Sequence, residues 1–90
     1  MLLRATDSFV WRVWGDENVL FNPASGDTHL LDPLSGEVLR LLESRPMSEA
    51  DCESHVVAQL TDDLRTEAPQ FVRSMLEQFS ALGLVRTVQT

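Results

Sequence analysis

The apolar pattern of this chain changes its period at Asp32-Pro33. Before this point, apolar side chains tend to alternate with polar ones, and after it they recur every three or four residues. Asp32 is suited to cap the free backbone N–H groups of a helix, and Pro33 fits the first helical position. The sequence therefore predicts strands first and helices second, in an α+β fold class.

Three short strands are predicted before the change of period. Residues 9–14 are rich in aromatic and β-branched side chains, which fit a pleated surface. Residues 19–21 form the returning strand, and Thr28–Leu31 form the third, with turn-forming residues in both intervals. Consecutive strands joined by short turns pair as an antiparallel meander. The third strand is an edge of this meander unless another segment covers it.

The first two predicted helices have clear signals at their amino ends. The helix after Asp32 contains Gly36, which costs roughly 1 kcal/mol relative to Ala and therefore indicates close packing. Ser48 opens the second helix, and Asp51 follows three residues later in the spacing of a capping box. Residues 61–63, Thr-Asp-Asp, are predicted to end this helix.

The third predicted helix carries a broader apolar stripe than one core-facing side needs. It runs from near Thr66 to Gly83, and residues 84–88 are predicted to add a short strand. Two interpretations are open: the stripe is entirely core, or part of it lines a groove. The side chains concerned are Val72, Met75, Leu76 and Phe79. The whole order of elements is winged-helix-like and is expected to form a single domain over residues 1–90.

The sequence contains no pattern typical of a catalytic or metal site. Cys52 and His55 lie three residues apart, but two ligands do not make a zinc site, so we interpret the thiol as structural. A nucleophile, a base and an orienting group are not brought together by any recognisable spacing. We therefore predict a protein that is not an enzyme and uses no metal and no cofactor. The single cysteine and the absence of a long apolar run favour a cytoplasmic location without membrane contact.

The charge balance argues against a nucleic-acid partner. Fourteen Asp and Glu stand against seven Arg, with a formal net charge of −7. Because DNA and RNA are polyanions, the average field of such a protein repels them and attracts basic segments.

The strand-to-helix junction carries a family resemblance. Residues 21–34, which end in Leu-Leu-Asp-Pro-Leu, and residues 37–42, Glu-Val-Leu-Arg-Leu-Leu, resemble the PqqD family. More narrowly, they are similar to the PqqD-like peptide chaperones encoded in HPr-related kinase systems, and the similarity covers roughly the whole chain. The resemblance implies a winged-helix-like domain of the RiPP recognition element type, which binds leader peptides of ribosomally made, modified natural products.

The resemblance also implies a site and partners. In that family the peptide adds as a strand beside the third strand and against the third helix. Carried onto this chain, the peptide-binding residues are Thr28, His29, Leu30, Leu31, Val72, Met75, Leu76 and Phe79. The implied partners are a precursor or leader peptide and a modifying enzyme or HPr-kinase-related protein.

Two other functions are kept as alternatives. A winged-helix regulator that binds DNA would be built from the same secondary-structure elements, although the negative net charge opposes DNA binding. A self-associating module, such as a homodimer, would use the uncovered strand edge.

Overall fold

The computed structural model describes residues 1–88. Within this range the elements, in chain order, are β1 (Leu2–Ala5), β2 (Val10–Trp14), β3 (Glu17–Asn22), β4 (Asp27–Leu31), α1 (Pro33–Ser44), α2 (Glu49–Val57), α3 (Asp62–Arg65), α4 (Ala68–Ala81) and β5 (Val85–Val88). The α+β fold class is confirmed, with strands before helices and a last short strand. None of the described helices is both long and apolar enough to span a bilayer.

The predicted meander is the central sheet of the fold. Its strand order is β2-β3-β4, and both pairings are antiparallel. Leu20 in the middle strand lies opposite Trp11 on one side and His29 on the other. Because side chains alternate along a strand, these three point to one face, which we call the inner face. Leu20 is fully buried, so the inner face is the side that packs on the core.

A second sheet was only half predicted. The carboxy-terminal strand forms as expected, but it pairs antiparallel with β1, which was not predicted. Leu2 lies opposite Val88 and Ala5 opposite Val85. Leu3 and Met47 also exchange backbone hydrogen bonds of 2.8 Å, which connect β1 to the segment between α1 and α2. The two chain ends are thereby joined beside the helices.

The starts of the first two predicted helices are confirmed in detail, whereas the third, predicted to begin near Thr66, begins at Ala68. The Asp32 carboxylate accepts a hydrogen bond from the Ser35 N–H at 2.7 Å, with Pro33 at the first helical position. Ser48 and Asp51 form the reciprocal capping box of α2. The segment after α2 differs from the prediction, because Asp62 and Asp63 open the single-turn helix α3. Acidic residues in a first turn interact favourably with the positive end of a helix.

Helix α1 approaches the inner face of the sheet closely at Gly36. A Cβ atom at this position would lie 2.8 Å from Nδ2 and 2.9 Å from Cγ of Asn18 in β3. Real Cβ atoms do not come this close to other heavy atoms, so only glycine fits here without a shift of the neighbouring chain. The close packing expected from the helix glycine is therefore confirmed.

A polar cluster continues this contact along α1. Arg40 donates a hydrogen bond to Oδ1 of Asn18 at 3.1 Å and lies over the Trp11 ring, 4.5 Å from its centroid. Oε1 of Glu43 accepts hydrogen bonds from the Trp11 indole at 3.0 Å and from the Phe9 backbone N–H at 2.9 Å. These contacts connect Arg40 and Glu43 of α1 to the first two strands of the sheet at several points, which helps to fix the angle between helix and sheet.

We predict that Gly36→Ala lowers the free energy of unfolding by about 1–3 kcal/mol, the usual cost of overpacking. Alanine favours a free helix by roughly 1 kcal/mol over glycine, so a destabilising result identifies the Asn18 contact as its cause. Urea unfolding followed by circular dichroism measures the change. In an Asn18→Ala background, where Nδ2 and Cγ are absent, the same substitution should cost clearly less. Equal costs in both backgrounds would contradict this explanation.

Candidate functional site

The outer edge of β4 is open in the described part of the chain. β4 is the last strand of its sheet, and the carboxy-terminal strand β5 pairs with β1 and not with β4. Alternate residues of an edge strand direct their N–H and C=O groups away from the neighbouring strand. Such a row of unpaired groups is a template for another extended chain.

The side chains of β4 divide between the two faces of the sheet. Thr28 and Leu30 lie on the outer face and are exposed, Leu30 to 65%. His29 and Leu31 lie on the inner face, where His29 is half-buried and Leu31 is buried. The predicted strand residues therefore lie together along one open edge, with an apolar core directly behind it.

The four helix residues predicted to contact a peptide are buried in the free chain. Val72, Met75, Leu76 and Phe79 have relative exposures of 0%, 5%, 6% and 1% and belong to the main hydrophobic cluster. The core interpretation of this stripe is thus the one the structure supports. That these four side chains contact a peptide stays a prediction, because a ligand reaches them only if their neighbours move.

The accessible apolar surface of α4 lies on one flank of that stripe. Phe71 and Leu82 are exposed to 43% and 40%. They are eleven residues apart, which is three helical turns, so they lie on the same side of the helix about 16 Å from each other. The sequence hinted at this flank, because Phe71 diverges from the line of Val72 and Phe79, but periodicity alone could not separate covered from uncovered positions.

Cys52 and His55 do not come together with further ligands. Cys52 is completely buried. Burial is the main cause that raises the pKa of its thiol, and the negative charges of Asp51 and Glu49 raise this pKa further. His55 Nε2 lies 3.2 Å from Oε1 of Glu37 in α1, at ion-pair distance but outside hydrogen-bond geometry. Among residues 1–88, no group of three or more His, Cys, Asp or Glu is arranged to hold a metal ion. The pair is thus part of the packing between α1 and α2.

A solved structure has the same fold. It is that of TbiB1 in complex with the TbiA(β) leader peptide, and the two chains superpose with a TM-score of 0.73. The alignment covers 97% of this chain and 99% of TbiB1, at 21% sequence identity. No protein-family profile matches the chain, and neither does a curated protein sequence. The likeness therefore shows that this chain shares the fold of TbiB1, and membership of the PqqD family stays a prediction.

Two substitutions on α4 separate core from surface. Met75→Asp should lower the free energy of unfolding by about 3–5 kcal/mol, because it places an unpaired charge in the core. Phe71→Asp should cost only about 1–2 kcal/mol, since that ring is already partly in water. Chemical denaturation of both variants gives the comparison. Similar small costs would mean that Met75 faces a cleft and that the burial described above is wrong.

We also predict that the Cys52 thiol is unreactive in the folded protein. Its raised pKa keeps the neutral thiol in place at pH 8, and its burial keeps reagents away. Reaction with an aromatic disulfide reagent should be slow in buffer and fast in urea. A burst of reaction in buffer at the rate of the unfolded chain would contradict the placement of Cys52.

Proposed function

We propose that this protein is a non-catalytic recognition domain that captures a leader or precursor peptide as an added strand on β4 and presents it to a partner modifying enzyme. The observation that carries the proposal is the open outer edge of β4 in the described residues. The partner would be the enzyme that modifies the peptide or an HPr-kinase-related protein, as the family resemblance implies.

Strand addition suits this edge energetically. Each backbone hydrogen bond contributes about 0.5–1.5 kcal/mol net, so a ladder along five residues supplies moderate affinity without depending on ligand side chains. The ligand's alternate side chains then decide selectivity, since half of them face the protein and half face solvent. Moderate affinity is appropriate for a carrier, because the peptide must be released to the enzyme that acts on it.

The likeness to TbiB1 supports the proposal at the level of the fold. TbiB1 was solved with a leader peptide bound, and this chain matches it over nearly its whole length. A shared fold does not by itself imply a shared ligand. The open edge and the exposed apolar flank of α4 are the features of this chain that fit the same use.

The pairing of the arginines favours a peptide over DNA. Arg65 lies 3.0 Å from Asp62, and Arg73 on α4 lies 3.9 Å from Glu49 on α2. A helix that binds phosphates presents several free basic side chains. In this region both arginines face carboxylates, and the chain has a net charge of −7.

Titration with peptides encoded beside this gene, followed by backbone NMR, tests the proposal. We expect the largest shifts at Thr28–Leu31 and on the exposed flank of α4. The proposal is wrong if the chemical-shift changes are confined to other surfaces, or if a peptide binds without changing the shifts of β4. Sedimentation over a concentration series detects self-association, and competition between dimerisation and peptide binding would assign it to the same edge.

Proline substitutions in β4 supply the matched variants. Neighbouring residues of an edge strand point their N–H groups in opposite directions, so of Thr28→Pro and His29→Pro one removes an outward N–H and the other breaks the pairing with β3. We expect the variant that loses the outward N–H to weaken peptide binding about fivefold or more, as the loss of one hydrogen bond predicts, and to keep its fold. The variant that breaks the pairing with β3 should lower the unfolding midpoint. If the variant that keeps its fold binds the peptide normally, strand addition at β4 is wrong.

A further inference from the structure

An apolar pocket lies where α2, α3 and α4 meet. Its walls are Leu60, Leu64, Glu67 and Phe71, and its volume is about 220 Å³. Leu64 is exposed to 48% and Phe71 to 43%, although both are large apolar side chains. The pocket therefore exposes apolar surface to water at the amino-terminal end of the α4 flank described above.

The size of the pocket suits a single side chain. Pockets that hold cofactors and other small molecules usually measure about 300–1,000 Å³. The space here is smaller, and three of its four walls are apolar. A branched aliphatic or aromatic side chain of a peptide fills such a space, and burying it removes both its own apolar surface and that of Leu64 and Phe71 from water.

The charge at the rim indicates what flanks that side chain. Glu67 is the only charged wall residue, and it is exposed. Asp63, one turn earlier, is exposed too, and neither carboxylate takes part in an ion pair within residues 1–88. Asp62 is paired with Arg65. A cationic group on the ligand thus has two unpaired carboxylates available, in a protein whose net charge is already −7.

We infer that this pocket anchors the captured peptide, and that the peptide carries an apolar side chain next to a Lys or Arg that pairs with Glu67. The inference rests on the proposed function and adds the chemical class of the ligand: a cationic, amphipathic segment. An acidic or uniformly polar segment would leave the apolar walls in water and bring like charges together.

The test uses fluorescein-labelled peptides of twelve residues, rich in β-branched residues, that differ only in one central pair: Leu-Lys, Leu-Glu or Ser-Lys. Fluorescence anisotropy with the full chain measures the affinity of each. We expect the Leu-Lys peptide to bind roughly tenfold more tightly than the Ser-Lys peptide, the value of one buried aliphatic side chain. The Leu-Glu peptide should be weaker than Leu-Lys by about twofold to fivefold, as for an exposed ion pair, with the difference fading in high salt.

Variants of the pocket assign the effect to its walls. Leu64→Ser should remove the preference for Leu over Ser, and Glu67→Gln should reduce the preference for Lys over Glu, with Asp63 left in place. The controls are Val13→Ser, which removes an exposed apolar side chain elsewhere, and Glu17→Gln, which changes the net charge by the same amount. Both controls should bind all three peptides like the natural chain. Unfolding midpoints show that each variant is folded.

The outcomes separate this inference from the proposed function. Suppose that the peptides change the NMR shifts of β4, but that all three bind equally or that the pocket variants behave like the controls. The inference that the pocket anchors the peptide is then wrong, and strand addition stands. If the pocket variants weaken binding while β4 is unaffected, the pocket binds peptide and strand addition is wrong. No binding of the Leu-Lys peptide at millimolar concentration overturns the inference. If sedimentation shows a mass that rises with concentration, and Leu64→Ser lowers that mass, the occupant of the pocket is a second copy of this chain and the inference is wrong.

Discussion

The approach of α1 to the three-stranded sheet depends on the missing side chain of Gly36. Asn18 occupies the space that a Cβ atom would need, and it in turn accepts a hydrogen bond from Arg40. The stack of Arg40 on Trp11 and the two hydrogen bonds to Glu43 follow along the same helix. Because α1 follows β4 after the single residue Asp32, fixing α1 on the inner face also fixes the position of the edge strand.

That arrangement leaves β4 available. The carboxy-terminal strand pairs with β1 at the chain's other end, so it does not occupy the open side of the meander. Proteins usually protect exposed edges with prolines, inward charges or a covering segment. Within β4 the protection is slight, since the strand contains no proline and its only acidic residue is Asp27 at its start. An edge of this kind is a hazard unless a partner strand uses it, and this is the physical basis for proposing peptide capture.

The sequence anticipated the parts whose signals are local. The period change at Asp32-Pro33, the capping box at Ser48 and the packing role of Gly36 each depend on residues a few positions apart, and each is confirmed. β1 was missed because its four residues show no periodicity and its partner residues lie eighty or more positions away in the chain.

The helix surface was harder to predict than the helix itself. Val72, Met75, Leu76 and Phe79 form a clear stripe, but a stripe indicates an apolar face and does not say what covers it. The structure places these side chains in the core and leaves Phe71 and Leu82 accessible beside them. The candidate site thus retains the predicted strand and helix, with an accessible flank that only tertiary structure could identify.

Hydrogen exchange of the free protein tests the central claim most directly. If the outer side of β4 is unpaired, alternate backbone amides within Asp27–Leu31 exchange at nearly the rate of an unstructured chain, while their neighbours and the amides of β3 are protected. The measurement is repeated at several concentrations, so that protection by a second copy is recognised. Equal, strong protection of every β4 amide at all concentrations would mean that the edge is already occupied within the molecule, and the account would be wrong.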